Sequence, residues 1–319
     1  MEKIQQEDIH LVARYSNLSK NSAESVLQKY IYNTKADWQK FIQLFILSLG
    51  VGFMVSGIVL FFAYNWNDLN KFLKFGLVEG LTVTLSLVIL FSNLKLITKN
   101  ILLTAASALV GILFAIFGQV YQTGADAYDF FLAWTIFITL WVVVSNFAPL
   151  WLIFLVLINI TIGTYAQQVA KDWSEIFVMT IFFVLNTLTL FITILITHKN
   201  KVSNIPNWFI HTIALAVASF ATIGIINGIF ENKYKPSFLI LIALSFFTYI
   251  VGIWYGFKTK KIFYFSVIPF SIIIVLSALL AKISDKEPMI LFIGVFIVAG
   301  VTLTIKNILN LQKKWLDAQ

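Results

Sequence analysis

Cysteine is absent from the chain, and disulfides, thiolate metal sites and cysteine nucleophiles are excluded with it. Charge is scarce: 12% of the 319 residues are Asp, Glu, Lys or Arg, about half the share of a soluble globular domain. Arginine occurs once, at Arg14, so no arginine cluster is available to clamp a phosphate. The three histidines, His10, His198 and His211, are scattered, and no pair stands four residues apart with a glutamate, which excludes a zincin-type site. No Walker A run, Rossmann glycine fingerprint or G-x-S-x-G elbow occurs, so an energy-coupling nucleotide site would have to lie on another chain. Acids and histidines nowhere gather densely enough to activate water or stabilise an oxyanion, which argues against an enzyme acting on lipid, and no cofactor is implied.

What the chain has is hydrocarbon. Hydrophobic residues make up 59%, arranged from Phe41 to about Lys306 as apolar runs cut by short polar loops. A helix crosses the bilayer core with about 20 apolar residues. Segments 41–63, 72–91, 101–120, 175–197, 208–230, 236–256, 261–281 and 288–306 meet that length. The stretch from Phe130 to Ala166 is too long for one span and is expected to break at Ser145-Asn146-Phe147-Ala148-Pro149, because proline disfavours helix before it and fits a first turn after a break.

Loop charge discriminates between the threadings. With ten spans and the N-terminus inside, 16 lysine and arginine residues face the cytoplasm and 7 face out; a single span at 130–166 makes that 13 against 10. The positive-inside rule prefers ten spans with both termini cytoplasmic. The net charge of +8 therefore reports topology, and no aromatic-interleaved basic cluster points to nucleic acid.

The expected architecture is an all-α polytopic membrane bundle, residues 41–306, flanked by a helical cytoplasmic appendage, 1–40, and a short basic tail, 307–319. The first apolar run follows 40 mostly polar residues with no small-residue cleavage site after it, so it reads as a span rather than a signal peptide. Asn21 with Glu24 and Thr34 with Asp37 have capping-box spacing; the second pair is expected to start a helix that runs through Trp38 into the first span.

Glu79 is the residue that most needs a reason. It lies about 12 Å along the second span, where a carboxylate is costly and is by default a functional hypothesis. Thr82 and Ser86 continue its stripe, and Lys74 or Lys71 are the expected electrostatic partners. The functional reading is a proton or cation site; the structural one is a carboxyl held neutral or paired for packing. A second feature is the acid-only loop Gln119–Asp129, containing Gln122, Asp126 and Asp129, which reads either as a cation-attracting vestibule or as a turn with Gly124 for backbone freedom and an aspartate capping the next helix. Asn159 and Asn227 read as interhelical glue or as cavity lining. Trp66, Tyr121 and Trp134 are expected at the membrane interface. Gly52 with Ser56, Ser107 with Gly111 and Ala115, and Gly224 with Gly228 have the small-residue spacing that lets helices approach, and Pro269 is expected to kink the ninth span.

The run Gly50 to Trp66 followed by Asp68-Leu-Asn-Lys71, and the run Phe117 to Gln122 with Gly124-Ala-Asp126 and Phe131-Leu-Ala-Trp134, resemble a bacterial family of predicted membrane proteins, domain of unknown function two-one-five-seven. Leu18-Ser19 with Ala23-Glu24 resembles that family's N-terminal helical pattern, and the resemblance extends over about residues 10–170. It implies multi-pass residence in a bacterial cytoplasmic membrane and supplies no substrate. Two functions compete from the residues. One is a small-solute or ion carrier using Glu79; the other is a non-catalytic scaffold or accessory subunit that docks a protein partner through its N-terminal helices, with homo-oligomerisation open.

Overall fold

The computed structural model describes residues 22, 35–122, 124–199, 205–231, 235–283 and 287–317. Among them lie ten helices and no strand: α1 Lys35–Tyr64, α2 Lys71–Phe91, α3 Leu96–Tyr121, α4 Ala127–Ser145, α5 Ala148–Gln168, α6 Glu175–Lys199, α7 Asn207–Phe230, α8 Pro236–Thr259, α9 Ile262–Ile283 and α10 Glu287–Asp317. Each is long and apolar enough to cross a membrane. The expected break at 145–149 is where α4 ends, with Asn146 in the left-handed region (φ 44°) and Pro149 in the first turn of α5. Asparagine tolerates that conformation and proline needs no amide partner there.

The chain forms two compact units, divided between Gln122 and Thr123. In the first unit α1 and α2 both pack on α3. Phe62, Val78, Leu109 and Ile116, from all three helices, form its core. In the second unit α4 and α5 form a hairpin, and α7 is the helix against which α6, α8 and α9 assemble, with α10 outermost on α9. Ile176, Phe183, Val217, Ala221 and Leu241 fill the space between α6, α7 and α8.

The described residues at both ends of the apolar series continue its helices. The helix α1 starts at Lys35 and carries Trp38 straight into the first span. Thr34, Asn21 and Glu24 lie outside the described residues. At the other end α10 does not stop at 306 but runs to Asp317. Its 31 residues make about 46 Å of helix, well beyond the hydrocarbon thickness, so its last three turns extend into the interface.

Small-residue spacing brings helices together at one of its two clearest occurrences. A Cβ at Gly224 would lie 2.5 Å from Leu241 Cδ2 and 2.9 Å from Met179 Cβ, so α6, α7 and α8 approach closely there. Gly52 has nothing within 4 Å, and Ser56 beside it is exposed, because this stripe lies on the outer face of α1. The spacing records what a face permits; the fold decides whether a neighbour uses it.

Candidate functional site

In the first unit Glu79 lies on the exposed surface of α2. Its expected partners are engaged elsewhere. The buried Lys74 places its ammonium 3.7 Å from the centre of the Trp66 ring, and Lys71 lies over Phe72 at 5.3 Å. Trp66 is thus more than an interface aromatic, since its π-face offsets the burial of a lysine. Thr82 and Ser86, the rest of the Glu79 stripe, donate their hydroxyls to Val78 O and Thr82 O at 2.8 Å each. Gln119 and Gln122 are exposed, and Tyr121 packs its ring between Phe117 and Phe75 at the end of α3.

The acid-only loop takes its capping form. Asp126 is the N-cap of α4, and Asp129 accepts its amide N–H at 3.2 Å, the reciprocal half of a capping box. Gly124 has φ +65°, the freedom expected of it. The Tyr128 amide donates to Gln168 Oε1 at 2.9 Å, which ties the start of α4 to the end of α5. Tyr128, Tyr165, Trp173 and Phe177 continue as edge-to-face pairs at that end of the unit, an aromatic girdle of the kind interfaces carry. Trp134 lies one turn further in, against Phe130 and Phe131.

Asn159 and Asn227 have separate partners. Asn186 is 1% exposed and donates to Asn159 Oδ1 at 2.8 Å and to Phe182 O at 2.8 Å, while Asn159 donates to Leu155 O at 2.7 Å. One amide pair therefore joins α5 to α6. Leucine at 159 and 186, singly and together, is expected to show a coupling of about 0.6–2 kcal/mol in a double-mutant cycle read by denaturation in mixed micelles. Asn227 is one turn from the end of α7, where it donates to Glu175 Oε2 at 3.4 Å. The Thr189, Thr193 and Thr197 stripe is satisfied within α6, each hydroxyl donating to the carbonyl four residues earlier.

Halfway along the second unit is a polar group that the sequence does not announce. Thr222 of α7, Ser271 of α9 and Tyr249 of α8 lie in a chain, with Thr222 Oγ1 to Ser271 Oγ 2.6 Å and Tyr249 Oη to Ser271 Oγ 2.5 Å. Thr222 gives its single hydroxyl proton to Ala218 O at 2.6 Å. Ser271 must then donate to Thr222, and Tyr249 to Ser271. The result is one directed run of hydrogen bonds ending on a backbone carbonyl, which fastens three helices and uses every hydroxyl proton in it. Nothing within any one helix pairs residues 22 and 49 positions apart, so no sequence period could have indicated it.

One end of the second unit is rich in lysine. Segments 253–269 and 303–317 hold Lys258, Lys260, Lys261, Lys306, Lys313 and Lys314 against a single acid, Asp317. Lys261 donates to Asn207 Oδ1 at 2.9 Å, and burial pushes its ammonium below the ordinary lysine range. Between α8, α9 and α10 at this end opens a cleft of about 480 Å³. Its walls are apolar, from Ile253, Phe257, Phe265 and Pro269, and its α10 side carries Asn307, Asn310 and Lys314.

No curated protein and no solved structure matches this chain significantly. The matched family carries no activity in its description, so it bears on the architecture just described and on no substrate. That match covers the whole described first unit, α4 and the opening of α5, including the Asn65-Trp66 turn that shields Lys74 and the Asp126 cap of α4. Residues 14–151 of this ten-helix chain match the family model described as predicted membrane protein (DUF2157).

Proposed function

We propose that the protein is a non-catalytic membrane scaffold or accessory subunit, and that the first unit meets a transmembrane helix of another polypeptide along the face of α2 that carries Glu79. One observation carries the reading. Glu79 is exposed among lipid-facing neighbours, with Val83 at 55% and Leu87 at 48% exposure, and both nearby lysines are spent on aromatic rings. A carboxylate left at that depth costs about 2.5–3.5 kcal/mol, a cost that a donor or base on a partner helix removes. Of the polar groups a carrier pathway could use, Asn159 is paired with Asn186, Asn227 with Glu175, and Thr222 with Ser271.

A photoreactive side chain at Val83, one turn from Glu79 on the same face, tests this in native membranes. A cross-link to a second polypeptide that falls at least tenfold in the Glu79→Leu background is expected. Cross-links confined to lipid, or to residues of the same chain, would sink the reading. The carrier alternative makes a different demand: liposomes containing the purified chain would move a solute or protons, and Glu79→Gln would stop the flux while leaving the Val83 cross-link unchanged.

A further inference from the structure

We propose that the cleft between α8, α9 and α10 is a binding site for one anionic phospholipid, with the headgroup phosphate at Asn310 and Lys314 and an acyl chain along Ile253 and Pro269. The walls supply both chemistries such a ligand requires: α8 and α9 line the cleft with apolar side chains, and α10 adds polar ones. On α10 the lining runs from Leu303 to Lys314 and mixes apolar with polar side chains, and its one charged residue, Lys314, is the last of them. Asn307, Asn310 and Lys314 make no hydrogen bond or ion pair with another described residue, so their donors are available. Thr304, by contrast, is spent on Gly300 O at 2.8 Å.

Charge fixes the sign of the ligand. Six lysines and one acid surround this end, and basic pockets between transmembrane helices take anionic headgroups. Depth fixes its class. Trp315, next to Lys314, packs its ring against Phe265 of the cleft wall at 5.8 Å. Tryptophan beside lysine marks the headgroup level, so the Lys314 end of the cleft stands where a phosphodiester stands, and the deeper end at Ile253 and Pro269 where acyl chains begin. Pro269 adds room on the same wall: it has no amide hydrogen, so the α9 turn behind Phe265 lacks one helical hydrogen bond. The volume of about 480 Å³ suits a headgroup and part of one chain, with the rest of the lipid in the bilayer.

Native mass spectrometry of the delipidated full-length protein in detergent tests the site, with phosphatidylglycerol, phosphatidylcholine and inorganic phosphate added separately. The expected result is one phosphatidylglycerol retained in preference to phosphatidylcholine. Lys314→Gln should weaken it roughly fivefold, as expected for one lysine facing an anionic surface. Ile253→Trp, which fills the apolar end, should also reduce it, and Lys171→Gln, at the opposite end of the unit, should leave it unchanged. Equal retention of the two lipids, retention indifferent to both Lys314→Gln and Ile253→Trp, or saturation of the site by inorganic phosphate alone would each overturn the proposal. Circular dichroism of each variant separates loss of the site from loss of the fold, and Lys314 is exposed enough for its substitution to be tolerated.

Discussion

Valine in place of Gly224 is expected to destabilise the second unit by about 3 kcal/mol, the upper end of the range for overpacking a closed interface. The position leaves little room for relief. The added Cβ meets Leu241 Cδ2, a side-chain tip that can swing, but also Met179 Cβ at 2.9 Å, which moves only if the backbone of α6 moves. Since α6, α7 and α8 share one core, that shift would also open the contacts of Phe183 and Val217. Gly52→Val is the matched control: the same glycine, in the same kind of sequence pattern, with nothing within 4 Å. It should change stability by less than about 0.5 kcal/mol. Reversible unfolding of both variants in mixed micelles decides the matter, and equal effects would show that α7 does not approach α6 and α8 as described.

That contrast marks where sequence reasoning reaches its limit. Helix existence was legible because hydrocarbon demands about 20 apolar residues of every span, and the break before Pro149 was legible because a backbone rule acts within a few residues. The Asp126 and Asp129 cap could be read for the same local reason. What could not be read is which faces meet. Gly52 and Gly224 look alike in sequence, Lys74 looks like a partner for Glu79 until Trp66 takes it, and Asn159 finds Asn186 across 27 residues. In a soluble protein the apolar stripe of a helix would name its buried face. Here lipid and protein interior are equally apolar, so apolar residues cover buried and lipid-facing sides alike, and the helical period carries little of that information.

The same physics governs the other large effect, the loss expected from Phe183→Ala. Phe183 is 1% exposed and lies among Ile176, Val217, Ala221 and Leu241, so its removal leaves a cavity bounded by three helices. In water such a change costs about 3–5 kcal/mol, of which part is transfer of the ring out of solvent. In a membrane that part shrinks, because the unfolded reference is also surrounded by hydrocarbon and packing is what distinguishes the folded state. The expected cost is therefore about 2–4 kcal/mol, nearly all of it cavity. Phe246, on the outer face of α8 at 68% exposure, supplies the comparison. Its replacement by alanine exchanges one lipid contact for another and should cost less than about 0.5 kcal/mol. Mixed-micelle unfolding of the two alanine variants should separate them by at least about 1.5 kcal/mol; a smaller gap would mean that the α6–α7–α8 contact is not packed closely enough to distinguish protein from lipid.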